Sequence, residues 1–274
     1  MSVTRKKPVI TWEKSPDDFR YDEPVDDTIQ TPIAVALNEA LYMAGRLPKT
    51  ALASTNIAVC ATIDGKLTIK APDWFYVPYI LPMESPSFGL RSYTPYREGD
   101  VLAIVMEFLS QTKGEEEYST DSEPPMGKWY YYEQILQVPT YAIFEPSSGR
   151  LEVYELKYQK YRQRKPDENN RYWIAEVELF LGVGQGKREN RTGNWLRWWD
   201  ENGQILPWTV ELLEQQDQLL EQQDQLLEQK DQLLEQEQER ERSQQKEQLL
   251  EAALAELALL KEKLNSAGIN PEDI

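Results

Sequence analysis

The chain has 274 residues and a formal net charge of −17, with 30 Lys and Arg against 47 Asp and Glu, one cysteine and no histidine. Those counts exclude serine–histidine and cysteine–histidine catalysis, histidine-ligated metal centres, intrachain disulfides and thiolate metal clusters. Composition divides the chain: residues 209–274 carry 17 acidic and 6 basic residues (net −11) and no aromatic residue, whereas all 8 Trp and all 15 Tyr precede them. Two domains follow as the expectation, a globular body over 1–208 long enough to bury a core and a Leu/Glu/Gln-rich helical tail over 209–274. The acidic balance argues against non-specific coating of nucleic acid, which depends on phosphate neutralisation, but not against a local cleft. The basic residues Arg5, Lys6 and Lys7 are followed by no apolar segment, and no run reaches the roughly 18 apolar residues of a membrane span. A cytoplasmic, reducing setting away from membranes is expected, with Cys60 buried in its apolar run over 57–61.

Residues 1–25, with Pro8, Pro16 and Pro24, read as an extended leader. Asp26 and Asp27 offer N-cap chemistry for a helix through Ile29, Ile33, Leu37, Ala40, Leu41 and Ala44; alternatively Thr31 caps it with Pro32 in the first helical position. Gly45 is the expected stop. A strand over 56–63, the hairpin signal Asp64-Gly65 and a return strand over 67–70 come next. After Pro72 and Asp73, a Pro-, Ser- and Tyr-rich loop is expected over 78–99. Residues 101–109 form a nearly continuous apolar run, the mark of a strand covered on both faces, interrupted by Glu107.

A polar, acidic loop is expected over 110–127 and a helix of about three turns over 128–137. Residues 140–144 read as a buried strand, and the turn 147–149 leads to a strand over 151–156, paired with 158–162. Short strands over 172–199, with Gly182, Gly184 and Gly186 between them, and a last hairpin ending near 206 complete an α+β body with a mixed sheet. In the tail, paired leucines recur every seven residues (212–213, 219–220, 226–227, 233–234). Good helix formers fill the intervals, so the segment reads as a long helix. Two adjacent leucines per heptad depart from the a/d pattern of a coiled coil. From Leu250 the spacing alternates by three and four, and residues 240–248 shift the phase. A bend or loosened segment is expected there, and self-association through the leucine stripe makes a homo-oligomer the expected state.

Chemistry first shows at Glu107, because a carboxylate inside an apolar strand must be paired, protonated or metal-bound. Asp73, read as closing a strand after Pro72, supplies a second carboxylate at a strand end. Two converging carboxylates form a hard-oxygen site suited to Mg²⁺ or Mn²⁺, and phosphodiesters are a natural substrate for water activated there. Lys128, opening the following helix, would offset charge developing on the attacked phosphate. Each residue alone has an ordinary reading as turn, strand edge or solvated helix start; the combination carries the chemistry.

The residues in question are Asp73 in Ala-Pro-Asp-Trp, Glu107 in Ile-Val-Met-Glu-Phe-Leu-Ser, and the block 127–139, Gly-Lys-Trp-Tyr-Tyr-Tyr-Glu-Gln-Ile-Leu-Gln-Val-Pro. With Tyr141-Ala-Ile-Phe-Glu-Pro146, Leu151-Glu-Val-Tyr154 and Trp195-Leu-Arg-Trp-Trp199 they resemble the Uma-two family of restriction endonucleases, within the PD-(D/E)XK nuclease superfamily. The resemblance covers roughly residues 15–207. It implies a restriction-endonuclease-like mixed β-sheet flanked by helices, a divalent metal held by Asp73 and Glu107, DNA as substrate, and Asp73, Glu107 and Lys128 as catalytic residues. One departure stands out: the superfamily lysine lies two residues after the second acid, where this chain has Leu109. The resemblance moves that role to Lys128. Gln30 falls where relatives carry a polar residue facing the site, and Glu115, Glu116 and Glu117 read as solvated loop charge, with Glu117 reaching the metal as the alternative. The alternative function is a non-catalytic, oligomerising DNA-interaction or scaffold protein that keeps the nuclease fold.

Overall fold

The computed structural model describes residues 9–13, 29–82, 91–109, 115–123 and 126–266. In chain order the elements are β1 (Ile10–Thr11), α1 (Gln30–Met43), β2 (Leu52–Ser54), β3 (Ala58–Ile63), β4 (Lys66–Lys70), β5 (Trp74–Val77), β6 (Ser92–Tyr93) and β7 (Ile104–Phe108). There follow α2 (Glu115–Tyr118), α3 (Lys128–Tyr130) continuing as a π-helix over Tyr131–Leu136, β8 (Thr140–Glu145), β9 (Arg150–Lys157) and β10 (Lys160–Gln163). The last elements are β11 (Tyr172–Ile174), β12 (Leu179–Arg188), β13 (Arg191–Trp199) and α4 (Thr209–Ser266). The α+β class expected from the sequence is the class observed.

A six-stranded mixed sheet in the order β10-β9-β8-β7-β5-β2 organises the body. Its one parallel pair, β7 with β8, runs in register from Ile104 against Thr140 to Phe108 against Phe144, and α2 and α3 lie in the crossover between them. Strand alternation sorts the core into two layers. Ile104, Met106 and Phe108 of β7 join α1 and the antiparallel sheet β11-β12-β13 on one face. Val105, with Phe75 of β5 and Tyr141 of β8, joins the π-helix and the small sheet of β1, β3, β4 and β6, in which β6 pairs with β3, on the other.

Local chemistry explains the boundaries. The helix α1 closes with a two-bond C-terminal motif: the Arg46 N–H donates to the Leu41 carbonyl at 2.9 Å and the Gly45 N–H to Tyr42 at 3.0 Å, with Gly45 at φ +67°. The stop at Gly45 is therefore as expected. At the other end Ile29 occupies the N-cap with no side-chain cap bond. Thr31 and Pro32 lie inside the first turn, where the missing Pro N–H costs nothing, and Asp26 and Asp27 lie outside the described residues. Asp64 (φ 49°) and Gly65 (φ +78°) form the predicted two-residue hairpin, pairing Ile63 with Lys66.

Three sequence expectations need correction. Four strands lie where the sequence reading expects none: β1 in the leader, β6 in the 78–99 loop, and β2 and β5; all are short, and none alternates over enough residues to show a period. The helix over 128–137 is only briefly α-helical before widening into a π-turn that ends at Gln137 in the left-handed region (φ 55°), one residue before the segment Val138-Pro139 that cannot continue a helix. And Gly182, Gly184 and Gly186 do not separate strands; they lie within the ten-residue β12. A Cβ on Gly186 would sit 2.9 Å from the Trp208 ring, and one on Gly182 would sit 3.0 Å from the Trp199 ring, so the glycines make room for indoles stacked over the sheet.

The chain divides into two compact units, residues 1–209 and 210–274. In the second, α4 is helical without interruption through 240–248, so the phase shift in the leucine pattern produces no loosened segment. Its described side chains from Leu213 onward are exposed, including the paired leucines at 219–220, 226–227 and 233–234. No described helix is long and apolar enough to cross a membrane.

Candidate active site

Asp73 follows Pro72 and immediately precedes β5; it opens a strand where the sequence reading had it close one. Trp74 pairs with Met106, so the β5–β7 ladder ends just short of Phe108. The Asp73 carboxylate takes over: its Oδ2 accepts the Phe108 N–H at 2.6 Å. Gln30, at the start of α1, donates from Nε2 to the Phe108 carbonyl at 2.7 Å and to Asp73 Oδ2 at 3.3 Å. A buried strand-end amide and a buried amide side chain thus hold one carboxylate oxygen.

Glu107 alternates with Met106 and Phe108 and therefore projects from the sheet face that carries the π-helix. It has no exposed surface. Its Oε2 accepts from Lys128 Nζ at 2.9 Å and its Oε1 from the Tyr132 hydroxyl at 2.7 Å. Lys128 and Tyr132 are four residues apart, so one helix turn delivers both donors to one carboxylate. Burial pushes the Glu107 carboxyl up to about 8, helped by the negative Asp73, while Lys128 and the Tyr132 hydroxyl pull the other way. Burial alone would lower the Lys128 ammonium, but Glu107, Asp73 and Glu117 together hold it above its ordinary value, so it stays charged at neutral pH.

Glu117, expected to be solvated, is buried: α2 turns it inward, with Oε1 3.9 Å from Lys128 Nζ. The Tyr141 hydroxyl donates to its backbone carbonyl at 3.0 Å and anchors that turn to β8. Gly127 sets the approach of the two helices. A Cβ there would lie 2.1 Å from the Ser119 carbonyl oxygen, so only glycine lets α3 begin against the end of α2. Leu109, at the superfamily's lysine position, packs into the apolar layer beneath the π-helix.

The structure thus brings Asp73, Glu107 and Lys128 together with Gln30 and adds Tyr132, which the sequence reading did not place there, and Glu117, which it gave only as the alternative. Tyr132 was legible as the residue one turn beyond Lys128. Glu117 carried only the weak signal of an acid in the loop between Glu107 and Lys128; what buries it, Tyr141 and Gly127, lies further along the chain.

The family model of Uma2, described as "Putative restriction endonuclease", matches residues 22–184. The chain belongs to the Uma2 family. The match spans Asp73, Glu107, Lys128 and the whole six-stranded sheet, and Uma2 membership accounts for the restriction-endonuclease-like arrangement of a mixed sheet with helices on its faces. By its description Uma2 is a family of nucleases, hydrolases of DNA. No curated protein matches the chain.

Proteins of this fold use divalent metals, and the donor set suits one. Asp73 and Glu107 offer the hard carboxylate oxygens that Mg²⁺ and Mn²⁺ prefer, and Mg²⁺ takes as few as one or two carboxylates, completing its shell with water and phosphate. Among the described residues, no three Asp, Glu, Cys or His side chains are already gathered as a metal cage. Lys128 is placed as a cation already, between Glu107 and Glu117.

Proposed function

We propose that this protein is a metal-dependent endonuclease that hydrolyses DNA phosphodiester bonds, with Asp73 and Glu107 holding Mg²⁺ or Mn²⁺ and Lys128 as the charge-stabilising residue. The observation that carries this reading is Glu107: a fully buried carboxylate, on the strand beside Asp73, bonded to the ammonium of Lys128. A structural core has no use for such a group, since burying an ion pair brings little or no net stability over apolar packing. Uma2 membership supports it.

When bound, a divalent ion supplies an activated water and offsets charge on the phosphate. This chain's residues do the rest. Gln30 and the Phe108 amide fix the Asp73 carboxylate, and Tyr132 fixes one oxygen of Glu107, so neither acid has to reorganise during the reaction. Lys128, charged at neutral pH, presents an ammonium to a non-bridging phosphate oxygen and offsets the negative charge that develops there. Glu107→Gln preserves shape and should abolish Mg²⁺-dependent cleavage of plasmid DNA while leaving the protein folded. Lys128→Ala should slow cleavage by about 10²–10³, the usual cost of one preorganised charge-stabilising donor. Wild-type cleavage by Glu107→Gln would sink the assignment.

The tail supports a second reading, a non-catalytic scaffold in which a second copy of the chain covers the leucines of α4. The observation favouring it is the row of exposed leucines, including Leu226, Leu227 and Leu233, on a helix 58 residues long. Such a stripe in water favours association. In this reading residues 1–208 fold independently and 209–274 set the oligomeric state. Light scattering on the full chain and on residues 1–208 tests it: two monomers would refute self-association, and Mn²⁺ binding by calorimetry with DNA cleavage would favour the enzyme.

A further inference from the structure

Four ionisable side chains lie within one buried cluster on the π-helix face of the sheet: Asp73, Glu107, Glu117 and Lys128, each at most 7% exposed. Three of them are carboxyl groups and one is an ammonium. Carboxyl groups thus outnumber the ammonium in this cluster among the described residues. A buried carboxylate is costly unless something pairs with it. At one of the three an oxygen lacks such a partner among the described residues. Glu117 Oε2 is buried and has no hydrogen-bond partner among the described residues, and its other oxygen stands 3.9 Å from Lys128 Nζ, beyond hydrogen-bond reach. Buried carboxylate oxygens are otherwise satisfied in folded proteins, and an exception calls for an absent donor or cation.

We propose that Glu117 is a third carboxylate of the divalent-cation site, beside Asp73 and Glu107. This rests on the nuclease reading, in which a divalent ion is held there, and deepens it. The unsatisfied oxygen carries it: Glu117 Oε2 is buried in the same cluster as Asp73 and Glu107 with no donor among the described residues, and a hard divalent cation is the partner that carboxylate oxygens so gathered take. The fold makes Glu117's place deliberate. It is carried by α2 in the β7–β8 crossover, tied to β8 by the Tyr141 hydroxyl and packed against the start of α3 through Gly127. In the metal-free protein the Lys128 ammonium lies between Glu107 and Glu117; with a divalent cation held by the carboxylates, Lys128 would be released to face the phosphate.

The test is Mn²⁺ titration of the full-length protein by calorimetry, with thermal unfolding in chelator and in saturating Mn²⁺. Glu117→Gln keeps the side chain's size and its backbone contact to Tyr141. It should weaken Mn²⁺ binding at least tenfold. It should also raise the melting temperature of the metal-free protein, because it removes an unpartnered buried charge, while shrinking the stabilisation that Mn²⁺ confers. A residue with a merely structural role would do the reverse, lowering metal-free stability and leaving Mn²⁺ affinity alone. Affinity within twofold of wild type overturns the proposal. Glu107→Gln and Asp73→Asn, measured alongside, separate the two levels. If the wild type binds no Mn²⁺, the nuclease reading falls and this inference with it. If the wild type binds, both of those variants fail to bind and Glu117→Gln binds normally, only the inference falls.

Discussion

The two faces of the six-stranded sheet bury opposite chemistries. Towards α1 the layer is apolar and aromatic: Trp74, Ile104, Met106, Phe108, Phe144 and Trp198 are all under a fiftieth exposed. Towards the π-helix, the same strands bury Val105, Tyr141 and Ile143 around a set of charged groups. Adjacent residues of one strand, Met106 and Glu107, belong to the two different regimes. The first face is the ordinary source of stability, since apolar burial is favourable without conditions on pH or partner. The second contributes stability only while its charges are matched, the physical pattern that candidate functional sites share.

The comparison can be broken most directly from the apolar side. Trp198→Ala should cost about 3–5 kcal/mol, the usual price of emptying a large buried aromatic site, and the loss should be the same at pH 5 and pH 9. Denaturant unfolding checks both points; a loss that varied with pH would mean the α1 face is coupled to the charged one.

On the charged face the effects should depend on pH and should match that size only where the remaining acid stays ionised. Lys128→Met leaves Glu107 buried without its cation. Breaking a buried pair this way costs about 3–5 kcal/mol when the remaining partner stays ionised, and less when it can take up a proton. The variant should therefore lose most stability above pH 8 and little near pH 5, read from unfolding curves in chelator. A loss that is equal at both pH values would show that Lys128 contributes packing alone.

Glu107→Gln should give the most diagnostic shift. The Glu107 carboxyl is raised from 4.5 to about 8, so the folded state favours its neutral form. Its contribution to stability is full below pH 4.5 and is lost as pH rises through 8. Relative to wild type, metal-free Glu107→Gln should gain stability across that window and level off above it. A difference that stays flat from pH 4 to pH 9 would show that Glu107 does not titrate in the folded protein.

Much of this was readable from residues alone, for reasons that differ by element. The hairpin at Asp64-Gly65 and the stop at Gly45 were legible because positive φ is a local demand that few residues meet. Glu107 stood out because a charge breaks an apolar run, and Lys128 because it opens a helix in a distinctive block. The strand β5 went unseen because four residues buried on both faces have no period to read. The π-turn was read as α-helix because Tyr131, Tyr132 and Glu133, three consecutive buried residues, fit one face only when the turn is widened. Glu117 was misjudged because three consecutive glutamates look solvated; what buries one of them is a tyrosine 24 residues away.

The uneven placement of indoles has a practical corollary. All eight tryptophans precede residue 209, several of them packed ring against ring, as with Trp74 and Trp198 or Trp195 and Trp208, while the 58-residue helix α4 holds no chromophore of its own. Near-ultraviolet emission therefore watches the sheet domain alone, and circular dichroism at 222 nm is weighted towards α4. The chain carries two spectroscopic clocks, and heating one sample while reading both tells whether its parts melt together or in turn.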